Sequence, residues 1–147
     1  MAALKRELAQ AAQGNRTGSL AWFKTGKGDY AEGDSFIGVR VPMQRAIAEK
    51  YHHLGLDGIE KLLASPIHEH RFTGLLILVA RYRGGDEATR REVFRFYLDH
   101  VNGINNWDLV DVSAPAIVGE YLVSRPRRRR SLRHHVVPAL RCAKREL

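Results

Sequence analysis

The feature that most limits what this chain can fold into is a succession of helix-length apolar stripes, most of them opened by a capping residue or a proline. Pro42 suits a first-turn position, where its missing N–H removes nothing, and Met43, Ile47 and Tyr51 follow at i, i+4 and i+8. A short helix is predicted over Leu56 to Leu63. Ser65-Pro66 caps and starts a longer one, along which Phe72, Leu75, Leu76, Val79 and Tyr82 form a wide apolar face that ends at Gly84-Gly85. Asp86 caps the next, with Phe94, Tyr97, Leu98 and Val101 as its stripe. A further helix opens at Trp107 and runs through Ala114, Ala116, Ile117 and Val118 to Leu122, with a kink expected at Pro115. Ahead of these, Ala2 to Gln13 is rich in strong helix formers and is stopped by Gly14-Asn15, and a second short helix is expected over Ser19 to Lys24. No convincing strand hairpin interrupts the pattern.

Helix starts near 42, 66, 86 and 107 place alternate helices 44 and 41 residues apart, within the period of roughly 40 to 47 that marks HEAT and armadillo repeats. The expected fold class is therefore all-α, an α-solenoid (superhelix) of HEAT-like helical repeats, whose concave side is an extended binding surface. The length of 147 residues allows one domain that needs no staples. The single cysteine, Cys142, excludes an internal disulfide, and the longest apolar run, Leu75 to Ala80, cannot cross a bilayer. A soluble intracellular protein is expected, with no membrane partner. The net charge of +8 points to nucleic acid only if it is spread over the folded part. It is not: residues 124–147 hold nine Lys or Arg and one acidic residue, so residues 1–123 balance to zero. Any DNA-binding face on the body must come from spatial segregation of its charges.

Thr25 to Val41 reads as a glycine-rich structured connection, its glycines supplying positive φ and Phe36, Ile37 and Val39 anchoring it to the core. Gly26-Lys27-Gly28 lacks the spacing of a phosphate-binding loop. The seven histidines do not suggest a metal: His68 and His70 are two apart, nearly opposite on a helix, and His52-His53 and His134-His135 are adjacent. Glu69 and Arg71 open a helix whose remainder is apolar, and are expected to ride on an exposed edge or to pair with a neighbouring repeat.

Chemistry concentrates in Gly103 to Asp111, G-I-N-N-W-D-L-V-D. Asn106 is a candidate N-cap, its amide oxygen accepting from an orphan N–H, which makes Trp107 the first helical residue. Asp111 stands four positions on, so an indole and a carboxylate share one face while Leu109, Val110 and Val112 can turn to neighbouring helices. On an ordinary helix this is an aromatic beside acidic residues that favour the positive helix end.

The run N-N-W-D-L-V-D-V-S-A-P-A-I-V-G (105–119) resembles the helix that carries the catalytic aspartate in the DNA alkylation repair family, the AlkD-type HEAT-like-repeat alkylpurine DNA glycosylases. Two upstream runs resemble the same family: G-K-G-D-Y-A-E-G-D-S-F-I-G-V-R-V-P-M-Q-R (26–45) and H-E-H-R-F-T-G-L-L-I-L (68–78). The resemblance implies excision of cationic N3- or N7-alkylated purines from duplex DNA by N-glycosidic hydrolysis without base flipping, with Asp111 as the catalytic carboxylate and Trp107 contacting the damaged nucleotide. It implies double-stranded DNA carrying alkylated purines as partner, no cofactor or metal, a monomer, and a cytoplasmic, nucleoid-associated location. The family's arginine and second tryptophan follow further along, where this sequence departs from the pattern; the only other tryptophan is Trp22. Residues 1–123 are thus read as the N-terminal part of the repair domain. The basic tail 124–147 is read as disordered or foreign to the family, in a chain truncated or frame-altered after about residue 123 that lacks part of the active site. The alternatives are a non-catalytic HEAT-like nucleic-acid-binding or scaffold protein, or an inactive fragment of the glycosylase.

Overall fold

The computed structural model describes residues 1–12 and 33–124, and these are all-α. Helices α1 (Ala2–Ala11), α2 (Val41–Lys50), α3 (Leu56–Leu63), α4 (His68–Gly84) and α5 (Glu87–Asp99) are followed by a 3₁₀ turn (Val101–Gly103), α6 (Trp107–Ala114), a π-helical turn (Pro115–Gly119) and α7 (Glu120–Val123). The only strand-like pairing among the described residues is an isolated bridge between Ser35 and Ile67. The short helix expected over Ser19 to Lys24, the Gly26-Lys27-Gly28 segment and the basic tail lie outside the described residues.

Helix α4 is the hub. It packs on α1, α2, α3, α5 and α6, and from His68 to Val79 every residue except Leu76 is buried. The one-sided apolar face read from Phe72, Leu75, Leu76, Val79 and Tyr82 understates this burial: Ile77 and Leu78 are equally enclosed, as befits a helix surrounded by neighbours. Close approach to α3 depends on Gly74, where an added Cβ would sit 3.1 Å from Leu62 Cβ. The helix starts at His68, two residues later than Pro66 suggested, because the Ser35 N–H donates to the Pro66 carbonyl and the His68 N–H donates to the Ser35 carbonyl, both at 2.8 Å. It ends at Gly84, as expected, and the Tyr82 and Arg83 carbonyls accept from Arg90 of α5, each at 3.2 Å.

Two other stripes shift for identifiable reasons. On α2 the buried face is Gln44, Ile47 and Ala48, while Met43 faces out, half exposed; Gln44 Nε2 turns inward to donate to the Val39 carbonyl at 2.7 Å, satisfying the end of the incoming loop. At Pro115 the helix widens into a π turn instead of merely kinking. Proline cannot donate to the Asp111 carbonyl four residues back and its ring crowds it, and the turn closes with the Glu120 N–H directed at the Pro115 and Ile117 carbonyls. Stacked Phe94 and Tyr121 (4.0 Å between ring centres) and a Tyr97–Ser113 hydroxyl contact of 3.0 Å hold this segment to α5. Asp86 caps α5 as anticipated, accepting from the Thr89 N–H at 2.8 Å.

Gly103 joins the α5–α6 connection to the C-terminal end of α3 with no room for a side chain: a Cβ there would meet the Leu63 carbonyl oxygen at 2.8 Å. Gly103→Ala should therefore destabilise the protein by about 1–3 kcal/mol, seen as a lower urea midpoint, whereas Gly84→Ala, where an added Cβ meets nothing within 4 Å, should not.

Candidate active site

Where the loop at 33–40 crosses the first turns of α4 and α6, polar side chains are enclosed and tied to one another. The loop can take this path because Gly33 and Gly38 adopt positive φ (82° and 85°). Arg71 Nη2 of α4 lies 2.6 Å from Asp34 Oδ2, both side chains being nearly inaccessible, and Arg71 Nη1 donates to the Ser65 carbonyl at 3.1 Å. Asp34 also accepts from the Asn106 amide and, at 3.5 Å, from Asn105. Glu69 accepts from the backbone N–H groups of Ile37 (3.1 Å) and Gly38 (2.8 Å). His68 is stacked under Phe36 with ring centres 4.8 Å apart, and its Nε2 lies 2.7 Å from Asp108 Oδ2. The second hydrogen of the Asn106 amide points to His68 Nδ1 at 3.3 Å, so Nδ1 accepts and the ring proton sits on Nε2, donated to Asp108.

Glu69 and Arg71 are thus not on an exposed edge, nor do they bridge to a neighbouring repeat. They are buried because the loop brings its own unpaired N–H groups and a carboxylate onto the start of α4. Removing one partner of such a buried ion pair costs about 3–5 kcal/mol. The Asn106 expectation also needs correction. Its backbone has the extended N-cap geometry (φ −101°, ψ 147°) and Trp107 is the first helical residue, but no side-chain cap bond forms. The amide is committed to Asp34 and His68, while its Oδ1 is buried without a partner. The Leu109 N–H of this first turn donates instead to Asp108 Oδ1 at 2.9 Å, and an unsatisfied buried acceptor costs about 1–3 kcal/mol.

Trp107 and Asp111 stand one turn apart on α6, on its solvent side. Trp107 is 53% exposed and Asp111 is exposed, whereas Leu109 is buried against the core. The indole therefore does not seal the carboxylate from water in the unbound protein. Among the described residues no three His, Cys, Asp or Glu side chains are grouped so as to hold a metal ion. Beside the Asp34–Arg71 pair opens a cleft of about 500 Å³, lined by Glu60, Asp99 and His100 among others; its carboxylates make it a poor cradle for phosphate.

Asp34, Phe36, His68, Asn106 and Asp108 were not singled out as a set from the sequence, yet all lie within the three runs that carried the family resemblance. The structure brings the described parts of those runs into one cluster. A family model described as DNA alkylation repair enzyme matches residues 4–137. The chain belongs to this family. The match continues past residue 123, where the sequence resemblance was drawn to stop. No curated protein and no solved structure matches the chain. Membership gives this DNA alkylation repair protein a role in DNA repair and DNA as its partner.

His70, at the rim of the cluster, contacts Ser65 Oγ through Nδ1 at 2.8 Å. Burial, aided by the Lys5 charge, pushes its pKa from 6.5 down to about 4. Above pH 6.5 both folded and unfolded forms keep the ring neutral; below it the unfolded chain takes up a proton that the folded one resists until about pH 4, so stability falls as pH drops through that window. The urea midpoint should decline between about pH 7 and about pH 5, and the decline should be shallower in His70→Asn, whose amide can still meet Ser65.

Proposed function

We propose that this protein excises cationic N3- or N7-alkylated purines from duplex DNA by hydrolysing the N-glycosidic bond without flipping the base, with Asp111 as the catalytic carboxylate and Trp107 against the damaged nucleotide. The observation that carries the reading is an exposed indole and an exposed carboxylate one turn apart on α6, a helix whose start is gripped by a buried network built from the family's three runs. A large aromatic about half exposed beside so ordered a polar cluster is suited to receive a ligand.

An alkylated purine leaves as a neutral base, so no general acid is required; the charge to be stabilised is the positive one growing on the sugar. A carboxylate about 4 Å from it is worth about 1 kcal/mol in water and about 4 kcal/mol at an effective dielectric near 20. Asp111 is solvated in the unbound protein, so the larger figure requires the docked duplex to displace water from it. The negative face of the Trp107 indole attracts the cationic lesion or a C–H polarised by it. On the same reading the helices form a HEAT-like α-solenoid, the duplex lies across its concave face on clustered basic residues, and the protein works as a monomer in the cytoplasm, on the nucleoid.

Asp111→Asn should largely abolish release of methylated purine from duplex DNA, by up to about a thousandfold, while leaving duplex affinity within a few-fold, because the charge acts on a state that exists only during bond breaking. Equal loss of both, or loss of neither, removes Asp111 from the mechanism. A wild-type chain that binds the duplex but releases no base would be a non-catalytic DNA-binding module. Trp107→Ala should also slow release, at a stability cost of no more than about 1 kcal/mol given its exposure, and Trp107→Phe should retain much of the rate. Release and melting unchanged in Trp107→Ala would make the indole an ordinary surface aromatic.

A further inference from the structure

We propose that His68 is a positioning residue for the proposed reaction: held between the Asn106 amide and the Asp108 carboxylate, it fixes the first turn of α6 and with it the placement of Trp107 and Asp111. The inference rests on the glycosylase reading for its catalytic consequence, but its structural half stands on the geometry alone. Asn106 and Asp108 flank Trp107 in the chain, and both are bonded through their side chains to the same buried imidazole. Phe36 lies over that ring, and the other hydrogen of the Asn106 amide is anchored on the Asp34–Arg71 pair. The turn is gripped from both sides of the indole.

Asn106 has the extended N-cap backbone, but its amide goes to Asp34 and His68, and the Leu109 N–H of the first turn is taken instead by Asp108 Oδ1 at 2.9 Å. Asp108 thus serves the turn with one oxygen and holds His68 with the other, so the imidazole ties the entrance of α6 to α4. A displacement of the order of an ångström between a carboxylate and its target is enough to lower a rate by about a hundredfold.

The test uses the full chain in a Trp22→Phe background, so that Trp107 is the sole tryptophan. Asp108→Ala and His68→Ala free the turn; Asp108→Asn keeps an oxygen that accepts from His68 Nε2; Leu8→Ala, in the remote α1–α4 core, lowers stability without touching the turn. Both Ala variants should lose at least about tenfold in single-turnover base release at duplex affinity within about threefold, with a fall in Trp107 fluorescence anisotropy. Asp108→Asn should restore most of both signals, and Leu8→Ala should change neither at temperatures where it is folded. Wild-type rate and anisotropy in folded Asp108→Ala would overturn the proposal even if His68→Ala failed to fold, as would equal losses in Leu8→Ala. If the wild type itself releases no base, the glycosylase reading fails, and the anisotropy series still decides whether His68 holds the turn.

Discussion

The polar interior where the loop meets the starts of α4 and α6 is organised by the pairing of Asp34 with Arg71. An ion pair with both side chains almost wholly withdrawn from water recovers its desolvation cost only when the remaining donors and acceptors are also met. That condition is met in part, by the amides of Asn105 and Asn106 turned to Asp34 and the Ser65 carbonyl accepting from Arg71, while Arg71 Nε is buried without a partner. The pairing also accounts for the loop path, since Asp34 can be carried there only if residues 33–40 lie against the start of α4, and Glu69 receives the Ile37 and Gly38 N–H groups that this path leaves unpaired. One pair thereby joins a loop, a central helix and the entrance to α6.

The helices were legible in the sequence because helix periodicity is a local property. Trp107 as a first helical residue, the Asp86 cap and the end of α4 at Gly84 all follow from neighbouring residues. What was not legible came from partners distant in the chain. Gln44 displaced Met43 from the buried face of α2 because of the Val39 carbonyl. Glu69 and Arg71 look like surface charges in any local window, and only the crossing loop encloses them. The three runs of the family pattern were visible as separate strings, but nothing local says that Asp34, His68 and Asn106 meet.

The π turn at Pro115 belongs to the same account. Because Pro115 has no N–H, the carbonyl of Asp111 has no donor at the usual i+4 position, and the helix relaxes its winding one turn beyond the proposed catalytic residue. π turns of this kind cost a well-formed α-helix some hydrogen-bond geometry, and they recur where a helix has to present a side chain rather than simply pack. The apolar half of the segment compensates by burial of Ala116, Ile117, Val118 and Tyr121 against its neighbours. The helix thus has a clamped entrance, a relaxed middle and an apolar anchor, and Asp111 lies between the first two.

An exposed carboxylate is a weak electrostatic catalyst, since water screens it as well as it screens anything else. On the proposed reading this is a division of labour: the protein fixes where the charge stands, and the substrate removes the solvent. Rigid placement matters more in such a scheme than a perturbed carboxylate, because a side chain that moved toward phosphate counterions or back into water on docking would lose the gain that docking brings. The buried network serves that requirement in a way a surface contact could not. Its strength comes from groups largely withdrawn from water, so the approach of a highly charged, hydrated duplex disturbs the hold on α6 less than it changes the environment of Asp111.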